Sequence, residues 1–436
     1  MSGCCCPPAI SAIFCLWARS GFSKSSVAGA LTFFPPDPPL YAFIRTLDGK
    51  QLPDEYEDEN DHAAANGEET DEQQRVADSD SSENDGLNVS SDGDNEKAKK
   101  MKSQQSSMGL TDSPRLSDHE HDREDRREVH PAQALTDKAL LMRKIAKKKN
   151  RRDALDAQKG VTYEFVPDPR LSTPPGYSGT IEAVKIPYKI VNRSGVLGGT
   201  TKLENRVHVA ATIYRIREDR VTDATKTIIY SHGNATDIGA MYFMQVIIAK
   251  GLKCNVVMYD YSGYGESGGV SLEENTYRDI ETVYDYVLEN VVKDKNEKNI
   301  ILYGQSVGGG PSCYLAAQKK NLGGLILHSA FMSGMRVLTP SRALGCLDIF
   351  PNINRIKKVN CPVMVIHGML DEEVTFNHGT SLQEAVPDKF KRSPWYVKDR
   401  GHNDITDGRT KILEYIQRLK AYVESLEVTD STTPDE

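Results

Sequence analysis

The chain is short of apolar residues. Of its 436 residues 38% are hydrophobic and 27% are charged, which is little for this length and implies that part of the chain builds no core. No apolar run approaches the ~20 residues needed to cross a bilayer. The nearest candidate, residues 1–17 (MSGCCCPPAISAIFCLW), is interrupted by Pro7-Pro8. No basic residue precedes its apolar part, which argues against a secretory signal. Ser2 stands where a myristoylation signal needs glycine. No two of the eight cysteines have Cys-x-x-Cys spacing, so neither a zinc knuckle nor a thioredoxin-type motif is indicated. A basic surplus is also missing: the formal net charge is −8, and no nucleic-acid surface is expected. Nothing calls for a cofactor or a metal.

What charge there is lies unevenly. Residues 48–128 carry 25 acidic and 10 basic side chains, and residues 138–159 carry 9 basic and 2 acidic ones. The acidic stretch has no hydrophobic periodicity, cannot bury enough surface to offset its ordering entropy, and is predicted to be disordered. His119 and His121 lie among its acids as a weak metal candidate. The basic stretch from Leu140 to Arg152 reads as a helix, suited to an anionic membrane, a nuclear signal or plain solvation. Cys4, Cys5, Cys6 and Cys15 sit on an apolar end with Arg19 and Lys24 behind them, a pattern that suggests S-acylation. An apolar terminus packed on the domain with unmodified thiols is the alternative. Cys254, Cys313, Cys346 and Cys361 read as reduced core thiols of a cytosolic protein. Phe33-Phe34-Pro35-Pro36-Asp37-Pro38-Pro39 is a stiff linker or a strap along the domain surface. The expected organisation is a cysteine-rich anchoring segment and linker (1–47), an acidic insertion ending in a basic helix (48–160), a catalytic domain (161–425) and a tail (426–436).

From Tyr163 the pattern changes. Strand-like stretches at 181–190 and 207–216 lead in, and then strands and helices alternate to the end. Such alternation predicts a mostly parallel sheet covered by helices on both faces, with sites at the strand ends. Ser271-x-x-Glu274 reads as a capping box opening a long helix. The centre of the design is Asn299–Pro311, NIILYGQSVGGGP. An apolar strand enters Gly304-Gln305-Ser306-Val307-Gly308, and a helix is predicted over 312–320. This is a nucleophile elbow: a sharp strand-to-helix turn lifts the serine hydroxyl clear of the sheet, and glycines two residues away on either side keep the turn uncrowded. Gly309 and Gly310 extend the glycine run and are expected to loosen the helix start. Ser231-His232-Gly233-Asn234 follows an earlier strand and would supply an oxyanion amide from Asn234, with Val307 supplying the other. Asp371 and His402 follow later strands, and the order Ser306, Asp371, His402 is that of an α/β-hydrolase triad. His328, His367 and His378 compete as the base, and Asp348 and Asp404 as the acid. Phe331, Met332, Met335 and Leu338, with Tyr264, form a candidate acyl groove, though core packing explains any one of them nearly as well.

At this point the chain resembles the α/β-hydrolase domain-containing protein 17 family. The strings that carry the resemblance are Cys4-Cys5-Cys6, LTFFPPDPP, YSHGNATDIG, YDYSGYGESGG, ILYGQSVGGGP, HSAFMSGMRV, IHGMLDE and GHNDI, in that order. The resemblance covers the N-terminal cysteines and roughly Tyr163 to Glu424; the acidic stretch has no counterpart in it. It implies an α/β-hydrolase fold and a membrane-associated serine hydrolase acting on palmitoylated proteins. Ser306, Asp371 and His402 would be its triad and the N-terminal cysteines its anchor. Substrates would be S-acylated membrane proteins, met at the cytoplasmic face of plasma or endosomal membranes. A glycerolipid esterase with the same triad is the alternative enzyme, and a catalytically idle scaffold the alternative of another class.

Overall fold

The computed structural model describes residues 32–52, 148–150, 152–171, 174, 176–188, 207–223, 225–338 and 348–428. The chain divides into two units. Every described residue belongs to Met1–Asp54 with Leu135–Glu436, and residues 55–134 make the second unit. The acidic stretch expected to be disordered, the N-terminal cysteines, Cys346, and His119 with His121 lie outside the described residues.

The described residues form one sheet of eleven strands, in the order β11-β10-β9-β8-β6-β7-β5-β4-β3-β1-β2. The strands are β1 (Tyr41–Leu47), β2 (Lys50–Gln51), β3 (Thr162–Pro167), β4 (Thr180–Pro187), β5 (His208–Arg215), β6 (Thr227–Ser231), β7 (Asn255–Tyr259), β8 (Ile300–Gln305), β9 (Gly324–His328), β10 (Val363–Gly368) and β11 (Trp395–Val397). From β7 across to β11 all neighbours run parallel. The chain enters through an antiparallel half made of β1 to β5. The helices are α1 (148–150 and 152–159), α2 (Tyr242–Leu252), α3 (Glu273–Asn290), α4 (Gly309–Ala316), α5 (Gly334–Leu338), α6 (Asn352–Arg355), α7 (Phe376–Ala385) and α8 (Arg409–Val428).

The parallel strands are apolar throughout because both of their faces are covered. In β8, Ile300 and Leu302 join one core, while Ile301 and Tyr303 point into the other. The first core is closed by α3, α4 and α7 and the second by α2 and α8, as the two-residue period of a strand requires. Chain direction places the site. From β6 the chain steps to β7 on one side and returns to β8 on the other. A crevice therefore opens between the loops that follow β6 and β8, at the switch point where open α/β sheets bind ligands.

Several local expectations are corrected. The domain is not confined to 161–425. β1 pairs with β3 along six residues, and α8 runs on to Val428. The end of the basic stretch, read as suited to a membrane, a nuclear signal or plain solvation, uses Lys149 and Arg152 inside the fold, while Lys148 is exposed. Lys149 Nζ donates to the Gly265 and Ser267 carbonyls, Arg152 pairs with Glu266 at 3.0 Å, and Lys185 bridges Asp153 and Glu266. The Ser271 capping box does not form. α3 starts at Glu273 without a side-chain cap, and the Ser271 hydroxyl donates to the Ser262 carbonyl instead. Gly309 and Gly310 do not loosen α4. A Cβ on Gly309 would lie 2.7 Å from the Ala330 Cβ, and one on Gly310 2.2 Å from the Phe350 ring, so both let the helix press on its neighbours. Cys254, Cys313 and Cys361 are buried and unpaired, and burial pushes each thiol up to about 12.

The best test of the enlarged domain is Asp156, which lies within the span assigned to the insertion. Its carboxylate is buried and accepts Arg45 Nε at 2.7 Å and a second bond from the same guanidinium. Taking one partner from a buried ion pair leaves the other charge in a poor environment. Asp156→Ala should therefore cost about 3 kcal/mol of stability, read as a drop in the urea midpoint at unchanged slope. A change within about 0.5 kcal/mol, the usual surface effect, would remove α1 from the domain.

Candidate active site

β8 ends at Gln305, and Ser306 turns into the left-handed region at φ +49°. A non-glycine residue there costs about 1–3 kcal/mol and persists only when its surroundings hold it. Here the held turn presents the hydroxyl to the crevice. The two motif glycines are dictated sterically. A Cβ on Gly304 would meet the Gly308 carbonyl oxygen at 2.6 Å, and one on Gly308 would meet the Ser231 carbonyl oxygen at 2.0 Å. The second contact is made across the switch point, where Ser231 is in register with Gly304.

The loops after β10 and β11 bring the other two groups. His402 Nε2 lies 3.0 Å from Ser306 Oγ, and His402 Nδ1 lies 2.7 Å from Asp371 Oδ2. Asp371 has a well-filled surround. Its Oδ1 accepts the amides of Glu373 (3.0 Å) and Val374 (2.8 Å), and His367 Nε2 stands 3.3 Å from Oδ2. Burial alone would raise the Asp371 carboxyl. Hydrogen bonds from His367 and His402 and the Val374 amide outweigh it and hold the group well below the usual carboxylate range. An ionised Asp371 sets the tautomer of His402: the proton sits on Nδ1, facing the carboxylate, and the Nε2 lone pair faces the serine hydroxyl.

The rival residues have other duties. His367 is fully buried behind the acid. Its Nε2 is also 2.8 Å from the Val374 carbonyl, which can only accept, so Nε2 carries the proton. A Cβ on Gly379 would come within 2.6 Å of its other nitrogen, so the ring is boxed in place. The sequence set this histidine, at the end of its own strand, as a rival to His402, and the structure places it behind Asp371 within β10. His328 is bonded to Tyr303 at 2.7 Å and pushed down to about 3, by burial first and then by the neighbouring His402 and His367. His378 Nδ1 accepts the Met332 amide at 3.0 Å. Asp404 and Asp348 accept the amides of Gly401 and Met335.

For an oxyanion, the amides of Asn234 and Val307 have no acceptor among the described residues. Asn234 follows Gly233, on which a Cβ would lie 3.9 Å from that of Ser306, so this loop borders the serine. His232 is buried beneath it, with Nε2 3.2 Å from Asp260 Oδ1. The acyl-groove expectation is corrected in part. Tyr264 is fully buried, and its hydroxyl donates to Asn234 Oδ1 at 2.8 Å, so it lines no groove. Phe331 is buried against Phe350, and Met335 is also buried. Met332 is half-buried beside Arg336, and the Leu338 side chain lies outside the described residues. Apolar exposure near the site comes instead from Phe34 (55%), Met369 (41%) and Leu370 (62%). The first is bonded to Asn234 through its amide, and the others directly precede Asp371.

The chain is similar to several known proteins. Residues 222–353, which contain the elbow, match the model of the serine aminopeptidase S33 family. The chain is similar to α/β-hydrolase domain-containing protein 17B of Homo sapiens, 41% identical over 202 residues that cover 46% of this chain and 67% of that protein. It is similar to protein 17C of Xenopus tropicalis, 40% identical over 198 residues, covering 45% and 61%. Several 17C relatives are matched over only 57–61% of their length. Among solved structures, an esterase of Pyrococcus furiosus aligns with a TM-score of 0.43 at 17% identity, over 58% of this chain and 99% of that one.

Proposed function

The chain belongs to the α/β-hydrolase domain-containing protein 17 family, and from that premise we propose that it is a serine hydrolase that removes long acyl chains from protein cysteines. The observation that carries the reading is the line Asp371–His402–Ser306, at 2.7 and 3.0 Å, ending on a serine in the left-handed turn of an elbow. In the first half-reaction Ser306 Oγ attacks the thioester carbonyl while His402 Nε2 takes its proton. The oxyanion is met by the amides of Asn234 and Val307. Collapse breaks the C–S bond, the imidazolium returns its proton to the departing sulfur, and an acyl-serine remains. Water, deprotonated by the same nitrogen, then releases the fatty acid and restores the hydroxyl.

One observation and one point of general chemistry support a long-chain thioester over a small ester. A thiolate is a better leaving group than an alkoxide, so it asks less of His402 as an acid, and catalysis rests mainly on the oxyanion donors and on placing the chain. The exposed Phe34, Met369 and Leu370 offer apolar contact beside the reacting groups. Cys4, Cys5, Cys6 and Cys15 supply the attachment to a membrane by S-acylation in this reading, where one chain alone would hold only marginally. Serine at Cys4, Cys5 and Cys6 together should move the protein to the soluble fraction; continued membrane residence would assign the anchor elsewhere.

The deciding experiment offers the full chain three substrates at matched concentrations: a palmitoyl-cysteine peptide, monopalmitoylglycerol and a two-carbon ester. The reading requires release of palmitate from the peptide at the highest kcat/KM. Turnover of the glycerolipid without the thioester would replace it with lipid esterase activity. Turnover of none, with no labelling of Ser306 by a fluorophosphonate, would leave a scaffold.

A further inference from the structure

We infer that the segment Phe33–Tyr41 is a working part of the active site, a strap that holds the Asn234 loop in place through Tyr264. The inference rests on the hydrolase reading above and adds Tyr264 and the Phe34 amide to it as positioning groups. The key contact is a closed triangle. Asn234 Oδ1 accepts from the Tyr264 hydroxyl at 2.8 Å and from the Phe34 amide at 3.0 Å, and that amide also lies 3.1 Å from the Tyr264 oxygen. Both donors come from outside the loop, one from the strap and one from the turn after β7. The next residue, Ala235, is left-handed at φ +52°, a turn that alanine does not hold without help. With its side chain pinned at two points and the turn behind it fixed, Asn234 has little freedom to swing its amide away from the crevice. An oxyanion donor is useful to the degree that it is already in place when charge develops.

The strap is itself well held. Phe33 is buried, with its ring edge-on to Tyr264 and Phe350 at 6.3 and 6.2 Å. The Leu40 amide donates to Asp237 Oδ2 at 2.7 Å, within the same loop as Asn234. The Tyr41 hydroxyl donates to the buried Asp260 at 2.6 Å and accepts the Glu266 amide at 2.9 Å. Strap and loop approach so closely that a Cβ on Gly239 would fall 2.2 Å from the Leu40 carbonyl oxygen. The strap thus ties the loops after β6 and β7 together beside Ser306. A passive linker would need none of these bonds.

The test uses the full chain with Tyr264→Phe, Asn234→Ala and the double variant. Asn234→Ala keeps the backbone N–H that would donate, so a loss from it reports positioning. Three quantities are measured: kcat and KM on a soluble ester, and the Ki of a trifluoromethyl ketone whose hemiketal oxygen occupies the oxyanion site. Each single variant should lower kcat about tenfold, less than outright removal of a donor. KM should stay within about twofold, and Ki should rise by the same factor as kcat falls. The double variant should be no worse than Asn234→Ala alone, because that change already removes the acceptor shared by the Tyr264 hydroxyl and the Phe34 amide. An unchanged kcat in both single variants, or a fall in kcat with an unchanged Ki, would overturn the inference. Asn234→Ala decides it alone if Tyr264→Phe fails to fold. A Ser306→Ala protein as active as the wild type would instead overturn the hydrolase reading itself.

Discussion

Ser306→Ala should reduce turnover of a palmitoyl-cysteine peptide and of a two-carbon ester alike, by about 10⁵-fold or more. The expectation follows from the division of labour in the site. In the proposed mechanism His402 and Asp371 serve only to move one proton and to stabilise the charge this creates, so without the hydroxyl they have nothing to act on. What survives is the contribution of the oxyanion amides and of binding, which leaves such sites a small advantage over water. The change should be nearly silent for stability. Alanine is no more at ease than serine at φ +49°, and among the described residues the only side-chain bond lost is the one to His402. The measurement is single-turnover release of palmitate, with the urea midpoint as control. Activity within tenfold of wild type at an unchanged midpoint would exclude Ser306 as the nucleophile. Loss of both activity and midpoint would point to an effect on the fold.

Asp371→Asn should cost about 10⁴-fold in kcat while leaving the geometry almost intact. The two amides of Glu373 and Val374 fix which end of the new carboxamide faces them, since only its oxygen can accept. The NH₂ group is then turned toward His402 Nδ1, which must accept rather than donate. The imidazole is forced into the tautomer with its proton on Nε2, facing Ser306, where it can take no proton. His367 makes this worse, because its own Nε2–H, committed to the Val374 carbonyl, now faces the same NH₂. The pH dependence has a definite sign. The Asp371 carboxyl is depressed in the folded state. It therefore stabilises the fold above the ordinary value near 3.9, and that contribution is lost as pH falls through its lowered one. Asp371→Asn should flatten that part of the acid-denaturation curve. A kcat within tenfold of wild type would reassign the acid, with Asp404 next to be tested.

What was readable in the chain and what was not divides by the range of the forces involved. The elbow was legible because its strand, serine and glycines form one short motif, although the carbonyl that dictates Gly308 belongs to Ser231 on β6. A strand, a serine and two glycines facing backbone at 2.6 and 2.0 Å leave little room for other sequences. The parallel half was legible because strands buried on both faces must be apolar throughout, and the order of Ser306, Asp371 and His402 follows from where those strands end. Tyr264 was misread for the opposite reason. Its neighbourhood in sequence is aromatic, as a groove would be, but its hydroxyl is claimed by Asn234, thirty residues away. Lys149 and Arg152 lie in a basic run that reads as suited to a membrane surface, a nuclear signal or solvent. The carbonyls and the Glu266 carboxylate that take them up lie more than a hundred positions along the chain. Phe33–Tyr41 has neither strand nor helix periodicity through its prolines, and its bonds to Asn234, Asp237 and Asp260 span about two hundred residues. By itself, then, the sequence determined the class of fold, the nucleophile's turn and the order of the groups that meet at it. Only tertiary structure decided that the N-terminal strap and α1 belong to the domain and hold its loops, because hydrogen bonds and ion pairs between distant segments leave no periodic trace in either one.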